Sequence, residues 1–246
     1  MKIGVLNIAT GKYKNFLEPL FLSMRKNFLI NHKKIHIVFT DDVNFVEQMT
    51  TRLGIESCVI EIERKGFPGD TLYRYHHFYK SKERILSLGN NKPDVLYYID
   101  ADMLITGEVG EEILPTHHKK IIATSHPGYH EISLGTPETN PDSAAFIPVN
   151  KYRPCYWAGG FNGGSFEDFM VLSETISKRI DDDDKNGIIA VWHDESHLNY
   201  YLSEEKNLSK VKTLSPLYCC PEYNVGNKFH NPMIVALDKN HKEVRE

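Results

Sequence analysis

Apolar segments of strand character alternate with segments of helical spacing through the first half of the chain. KIGVLNI, KIHIVFT and DVLYYI are rich in β-branched and aromatic residues, which favours buried strands. Between them, NFLEPLFLSMRKNFL and TLYRYHHFYKSKERILSL carry apolar residues at the spacing of an amphipathic helix. This alternation predicts an α/β fold with a mostly parallel sheet flanked by helices. Ligands of such sheets bind beyond the carboxyl ends of the strands, so we look there first for a site.

The length and charge of the chain narrow the class of protein. A chain of 246 residues without a repeat or a linker is expected to form one domain over residues 1–246. The net charge of -4 provides no broad basic field for nucleic acid or an anionic membrane. No segment has the roughly 18 apolar residues of a membrane span, or the apolar run of a signal peptide. The four cysteines lack CxxC spacing, which favours reduced thiols in a soluble, cytoplasmic protein.

Two carboxylates follow the apolar strand YYI, at Asp100 and Asp102. On an extended backbone these side chains share a face, with Cα atoms roughly 7 Å apart. They can converge on one divalent cation, and hard oxygen ligands suit Mg²⁺ or Mn²⁺, with substrate phosphates completing the coordination shell. The alternative is an aspartate pair that caps a turn, and the local sequence favours neither explanation.

The segment WHDESHLN, residues 192–199, begins a predicted helix. Asp194 and Glu195 lie where the first turn of a helix favours acids. His193 and His197 are four residues apart, which raises the possibility of a zinc-dependent hydrolase. The HExxH motif, however, requires glutamate directly after the first histidine, and this chain has Asp194 there, which disfavours zinc.

The glycine-rich segment AGGFNGGS, residues 158–165, lies in a region, residues 127–165, that we predict to be mostly loop. Its glycines either allow a ligand to approach the backbone or form a flexible loop, and the spacing is not that of a phosphate-binding P-loop. The acidic run at 181–184 is predicted to be a solvated helix end. Lys239 and Arg245 near the C-terminus could contact phosphates or belong to a solvated tail.

In combination, these segments resemble glycosyltransferase family 6, the family of the ABO blood-group transferases and the α-1,3-galactosyltransferases. The resemblance implies a GT-A fold, with one α/β domain around a central twisted sheet. It also implies retaining transfer of galactose or N-acetylgalactosamine from a UDP-sugar to the 3-hydroxyl of a galactose-terminated glycan. The matching segments, in chain order, are IATGKY, TLYR, YYIDADM, SHPGYH, SAAFIP, YWAGGFNGGS, NGIIAVWHDESHLNYYL, LSPLY and KNHKEVR.

The resemblance also assigns roles to individual residues. Asp100 and Asp102 are implied to bind Mn²⁺, with Mg²⁺ as the other candidate, and the metal bridges the donor diphosphate. Asp194 is implied to bind the donor sugar, and Glu195 to act as nucleophile or as electrostatic stabiliser beneath the anomeric carbon. Some bacterial relatives have asparagines at the aspartate pair and work without metal, so both acids predict metal dependence. The other implied donor-binding residues are Ile8, Thr10, Tyr13, Arg74, Ala158, Gly159, Gly160, Lys239 and Arg245, and the implied acceptor-binding residues are His126, Thr136 and Trp192.

Ala158 and Gly160 match the pair of residues that tunes donor choice in the family. Gly160 has no side chain and is expected to leave room for an acetamido group, which predicts UDP-N-acetylgalactosamine as the preferred donor.

Other features set this chain apart from the animal members of the family. The first strand begins at residue 3 without a membrane anchor, which favours a bacterial or viral type of enzyme. Thr139, Asn140 and Leu217 differ from the acceptor-side residues of relatives and leave the acceptor open. A non-catalytic sugar-binding module and the zinc hydrolase are the competing functions.

Overall fold

The computed structural model describes residues 1–245. A seven-stranded sheet lies at its centre, and three short strands form a second sheet. The strands are β1 Lys2–Ile8, β2 Lys33–Thr40, β3 Ser57–Glu61, β4 Val95–Ile99, β5 Met103–Ile105, β6 Ile121–Ser125, β7 Trp157–Ser165, β8 Val211–Leu214, β9 Cys220–Pro221 and β10 Ile234–Ala236. The helices are α1 Leu17–Asn27, α2 Val43–Leu53, α3 Gly69–Leu72, α4 Arg74–Lys80, α5 Lys82–Leu86, α6 Phe166–Lys185, α7 His193–Ser203, α8 Glu205–Leu208 and α9 His241–Arg245.

The large sheet has the strand order β3-β2-β1-β4-β7-β6-β8. Its first four strands are parallel, β7 runs antiparallel between β4 and β6, and β8 is parallel to β6. Buried apolar side chains cover both faces, and the neighbours Tyr97 and Tyr98 of β4 belong to opposite clusters. This alternation follows from the two-residue period of a strand. The predicted α/β fold with a mostly parallel sheet is confirmed, and no helix within residues 1–245 is long and apolar enough to cross a membrane.

The prediction of loop for residues 127–165 is wrong at its C-terminal end, where β7 forms a central strand of nine residues. Glycine is depleted in strands, so AGGFNGGS gave no strand signal. The structure explains why glycine is needed there. A Cβ atom would lie 2.4 Å from the carbonyl oxygen of Leu96 at Gly163, and 2.5 Å from that of Lys120 at Gly164. The glycines therefore let the neighbouring strands pack closely.

The acidic run at the end of α6 is only partly solvated, contrary to the prediction. Asp183 is buried, and its carboxylate accepts hydrogen bonds of 2.6 Å from the hydroxyl of Ser143 and from the amide of Ala144. A buried carboxylate needs such partners because its desolvation is costly. Asp183 thus ties the end of α6 to the loop that precedes β7.

The second sheet places the C-terminal tail beside the aspartate pair. β5 begins directly after Asp102, and β10 pairs with β5 in antiparallel orientation. The amide of Leu237, directly after β10, donates to the carbonyl of Asp102 at 2.9 Å. The tail that begins at residue 238 therefore starts next to the carboxyl end of β4.

Candidate active site

The aspartate pair lies in a turn between β4 and β5. The amide of Asp100 donates to the carbonyl of Gly160 at 3.0 Å, and the amide of Met103 donates back to the carbonyl of Asp100 at 3.3 Å. The extended backbone assumed for Asp100 and Asp102 is therefore wrong, because the turn preference of aspartate ends β4 at Ile99. The turn nevertheless directs the side chains of both Asp100 and Asp102 to one cavity.

Each aspartate is paired with a cation. Oδ1 of Asp100 accepts hydrogen bonds from the hydroxyl of Tyr98 and, at 3.2 Å, from the guanidinium of Arg74. Asp102 is buried and accepts a hydrogen bond from the ammonium of Lys239. The two like charges that follow an apolar strand are thus balanced by two positive charges, one from α4 and one from the tail.

A cavity of about 240 Å³ lies at the carboxyl ends of β1 and β4. This is the edge of the sheet at which ligands of α/β proteins bind. The structure brings together here most of the residues that the sequence predicted for the donor. Those lining the cavity are Ile8, Thr10, Tyr13, Arg74, Asp100, Asp102, Lys239 and Arg245.

The C-terminal helix α9 packs against this cavity. The guanidinium of Arg245 lies 3.7 Å from the ring centre of Phe67, which is a cation–π contact. Two carbonyls of the helix are held by cations, that of Glu243 by the ammonium of Lys12 at 2.7 Å and that of Arg245 by Arg64 at 3.0 Å. Val244 and Arg245 thus line the cavity, while His241, Lys242 and Glu243 remain exposed, so the tail is only partly solvated.

Asp194 and Arg74 form the most deeply buried charge pair of the site. Nε of Arg74 lies 3.0 Å from Oδ2 of Asp194, but its N–H is directed to the carbonyl of Thr71 at 3.1 Å. Asp194 is 1% exposed, and neither of its carboxylate oxygens has a hydrogen-bond partner among residues 1–245. Burial raises the pKa of Asp194 to about 7, although the charge of Arg74 opposes the rise. Such an unsatisfied acceptor suits the hydroxyl group of a ligand.

Glu195 lies beside the glycine segment of β7. Its Oε2 accepts a hydrogen bond of 2.7 Å from the amide of Gly159. Asn199, one turn further along α7, exchanges hydrogen bonds of 2.8 Å with the backbone of Trp157 and so fixes α7 to β7. Burial raises the pKa of Glu195 to about 7, and the amide of Gly159 limits the rise. A Cβ atom at Gly159 would lie 3.3 Å from Oε2 of Glu195, so a side chain there would crowd the carboxylate.

The three predicted acceptor-side residues also come together. The indole N–H of Trp192 donates to the hydroxyl of Thr136 at 2.7 Å, and this hydroxyl lies 2.8 Å from that of Tyr129. The ring of Tyr129 packs on His126 with 4.7 Å between ring centres. Burial, together with the charge of Lys228, lowers the pKa of His126 to about 4, so the imidazole is neutral at pH 7. A more open groove of about 740 Å³, at the carboxyl ends of β6 and β8, borders this aromatic group.

The two histidines of WHDESHLN lie in different environments. His193 packs edge-on against Phe67 and has a φ of 52°, a left-handed conformation that non-glycine residues rarely adopt. His197 is buried in α7, with its Nε2 3.5 Å from Asp183. In the described part of the chain, no three His, Cys, Asp or Glu side chains are arranged to hold a metal ion. The histidine pair therefore lacks the third protein ligand that a catalytic zinc requires.

The space beside Gly160 differs from the expectation of an open pocket. A Cβ atom at this position would lie 2.5 Å from Cε of Met103 and 2.8 Å from Oδ2 of Asp100. Gly160 therefore lets the aspartate turn pack against β7. The Met103 methyl, the far end of a flexible side chain, fills the room expected for an acetamido group. Ala158, the other residue implied to influence donor choice, is buried in the same strand.

Sequence reasoning missed three residues of the site. Asp70 accepts a hydrogen bond of 2.7 Å from the hydroxyl of Thr10 and follows the turn sequence FPG, a signal that could have identified it. Tyr98 binds Asp100, but its position in an apolar strand gives no sign of this. Tyr156 is fully buried next to Glu195, and only the fold shows their proximity.

Comparisons with known proteins agree with this geometry. The family model Glycosyltransferase family 6 matches residues 1–246. The histo-blood group ABO system transferase 1 of Rattus norvegicus is 34% identical over 251 residues, which cover 99% of this chain and 68% of the rat protein. The O-antigen biosynthesis glycosyltransferase WbnI of Escherichia coli is 30% identical, covering 97% of this chain and 95% of the bacterial protein. The globoside alpha-1,3-N-acetylgalactosaminyltransferase 1 of Gallus gallus is 27% identical, covering 100% and 69%. This chain, whose α/β sheet agrees with a GT-A fold, belongs to glycosyltransferase family 6.

Proposed function

We propose that this glycosyltransferase moves N-acetylgalactosamine or galactose from a UDP-sugar to the 3-hydroxyl of a galactoside, with retention at the anomeric carbon. The observation that carries the proposal is the cavity at the ends of β1 and β4. There, Asp100 and Asp102 converge with cations from α4 and the tail. A site that combines two carboxylates with several cations suits a diphosphate whose charge needs balancing.

The charges of this cavity suit a nucleotide diphosphate. Ile8, Thr10 and Tyr13 line it at the end of β1 and are proposed to hold the uridine. Lys239 and Arg245 come from the tail and are proposed to bind the diphosphate. A tail that closes over the donor would exclude water and so suppress hydrolysis of the sugar nucleotide.

The residues of the turn also fit a divalent cation, and Mn²⁺ is proposed, with Mg²⁺ as the alternative. Both hydrogen bonds to Asp100 use Oδ1, which leaves Oδ2 for a metal. Asp102 binds the ammonium of Lys239, a cation that lies where a metal ion could bind instead. Hard carboxylate oxygens suit either ion, and two protein ligands are typical where substrate phosphates complete the shell. When bound, the metal would stabilise the negative charge of the UDP leaving group.

Asp194 and Glu195 are proposed to act on the transferred sugar. Asp194 is ion-paired with Arg74, but its two buried carboxylate oxygens lack hydrogen-bond partners among residues 1–245 and can accept hydrogen bonds from sugar hydroxyls. Glu195 is held by the amide of Gly159, and its carboxylate is proposed to face the anomeric carbon as nucleophile or as stabiliser of the positive charge that develops there. Both roles leave the configuration of the sugar unchanged.

The acceptor is proposed to bind over His126, Thr136 and Trp192. The indole of Trp192 is 45% exposed, so it offers an apolar face to a sugar ring. Nδ1 of His126 accepts a hydrogen bond of 3.0 Å from the amide of Gly128, so the neutral imidazole carries its proton on Nε2 and can donate it to a hydroxyl group. The name of the chicken relative specifies alpha-1,3-N-acetylgalactosaminyl transfer, which supports this linkage and this donor here.

The experiment that tests the proposal measures UDP release from a panel of UDP-sugars with galactoside acceptors, in Mn²⁺ and in EDTA. We expect turnover of UDP-N-acetylgalactosamine that EDTA abolishes, and product analysis that shows an α-1,3 linkage. Glu195→Ala should abolish turnover, while Glu205→Gln, at an exposed acid on α8, serves as control. Donor binding without turnover by the wild type would instead favour a sugar-binding module. Equal turnover in EDTA would overturn the metal role of the aspartates.

A further inference from the structure

The phenol of Tyr156 is buried without a hydrogen-bond partner. Tyr156 directly precedes β7 and is 1% exposed, and its hydroxyl has no partner among residues 1–245. A buried phenol usually finds a partner, because leaving its hydroxyl unsatisfied costs free energy. The missing partner of the Tyr156 hydroxyl therefore suggests that this group has a role in the neighbouring site.

The charged group that acts most strongly on this hydroxyl is the carboxylate of Glu195. Burial raises the pKa of Tyr156, and the charge of Glu195 raises it further, while the phenol in turn lowers the pKa of Glu195. The amide of Gly159 already binds Oε2 of the carboxylate at 2.7 Å. Geometry also places the two groups together, because Trp157, directly after Tyr156, exchanges hydrogen bonds of 2.8 Å with Asn199, one turn after Glu195 in α7. The phenol is thus a second donor beside a carboxylate whose charged form is disfavoured by burial.

The other surroundings of Tyr156 belong to the acceptor side. Its carbonyl accepts a hydrogen bond of 2.8 Å from the amide of His126, and its ring lies 5.4 Å from that of Tyr129. A Cβ atom at Gly135 would lie 2.5 Å from Cγ of Tyr156, and Gly135 has a φ of 74°. Both observations require glycine there, so the loop from His126 to Thr136 is shaped around the Tyr156 ring.

We propose that Tyr156 is a positioning residue that couples the acceptor-side loop, residues 126–136, to Glu195. When the carboxylate is charged, the phenol donates a hydrogen bond to it and, together with the amide of Gly159, fixes its orientation. Movement of the loop when an acceptor binds would reach Glu195 through the ring of Tyr156. This inference rests on the proposed function, because it gives Glu195 the role of acting on the donor sugar.

The test is the steady-state kinetics of Tyr156→Phe across pH, with UDP-N-acetylgalactosamine and a galactoside. Loss of a hydrogen bond to a charged group should lower kcat by roughly tenfold to a hundredfold, while the donor KM stays within about twofold. The acid limb of the kcat profile should move to higher pH, because the phenol no longer stabilises the charged carboxylate. The other titratable groups coupled to Glu195 are unchanged in the variant, and they are Asp194, Arg74, Tyr75 and Cys219.

Tyr201→Phe is the matched control, because Tyr201 is a buried tyrosine of α7 outside the site. Gly135→Ala is a second variant that displaces the Tyr156 ring without removing the hydroxyl, and it should lower kcat in the same direction. A Tyr156→Phe enzyme with the kcat and pH profile of the wild type would overturn the inference and leave the proposed function intact. A wild type without turnover of any donor would overturn the proposed function itself.

Discussion

The proposed donor side and the proposed acceptor side of the site use different chemistry. On the donor side, Asp100, Asp102 and Asp194 are paired with Arg74 and Lys239, and most of these groups are buried. Removing one member of a buried ion pair leaves the other charge uncompensated, which costs free energy and disturbs the geometry of the site. The donor side is therefore expected to be sensitive to the loss of a single charge.

The acceptor side is built from neutral groups. His126, Tyr129 and Tyr156 pack as aromatic rings, and Trp192 and Thr136 share a hydrogen bond. Aromatic faces and neutral donors bind sugars through many small contacts, so the loss of one contact should weaken binding without abolishing it. We therefore expect variants of the donor side to lower turnover and variants of the acceptor side to raise the KM for the acceptor.

The largest expected effect is that of Asp102→Asn. The substitution removes one of two carboxylates of the proposed metal site and leaves Lys239 without its partner. We expect kcat/KM to fall by about 10³-fold, in line with the loss of a preorganised electrostatic group. The measurement is UDP release as a function of Mn²⁺ concentration, with Asp182→Asn on exposed α6 surface as control. Wild-type activity in Asp102→Asn would mean that the donor side does not depend on this charge.

A smaller effect is expected for Trp192→Ala, which removes the exposed aromatic face of the acceptor side. The acceptor KM should rise about tenfold, because the apolar contact with the sugar ring is lost, while the donor KM is unchanged. Acceptor and donor titrations of the variant, with Val191→Ala beside it as control, measure the two constants. If the donor KM rose as much as the acceptor KM, the division of the site into two sides would be wrong.

Local sequence signals predicted where parts of this site lie, and the roles of its residues came from the family resemblance alone. The strand ends of β1 and β4, and the acids at the start of α7, follow from periodicity and from the preference of helix N-termini for acids. Contacts between distant segments gave no such signal. Lys239 and Asp102 are separated by 137 positions in the chain, and their pairing follows only from the antiparallel contact of β10 with β5.

The glycines of β7 show a different limit of sequence reasoning. Gly159, Gly163 and Gly164 were expected in a loop or near a ligand, because strand propensity reflects side-chain packing and glycine has no side chain. In the fold, two of them allow neighbouring strands to approach, and Gly159 binds Glu195 through its amide. Some glycines of β7 are thus needed for strand packing and another for the site, and only the tertiary contacts show which glycine has which role.

Donor choice can be tested where the aspartate turn packs against β7. Gly160→Ala adds a methyl group that would meet both Met103 and Oδ2 of Asp100, so turnover of both donors should fall, and displacement of the flexible Met103 side chain should disfavour the larger N-acetylgalactosamine more. Overpacking of this kind costs about 1–3 kcal/mol, and we expect the kcat/KM ratio of the two donors to shift towards UDP-galactose accordingly. The double variant Gly160→Ala, Met103→Ala restores space and should recover part of the original ratio. An unchanged ratio in Gly160→Ala would contradict the proposed preference for N-acetylgalactosamine.

The smallest expected effect concerns stability, at the carboxylate where the two sides meet. Burial raises the pKa of folded Glu195 to about 7, well above the value of an unfolded glutamate, so folding favours the protonated form. Between these two values the folded state binds more protons, and this residue therefore stabilises the fold less as pH rises from about 5 to 8. Glu195→Gln removes the titration and keeps an oxygen that can accept from the amide of Gly159. Its Tm should exceed that of the wild type by about 2–4 °C at pH 8, with a smaller difference at pH 5, while turnover is lost. A Tm difference that is equal at both pH values would show that Glu195 is not held in a site that disfavours its charge.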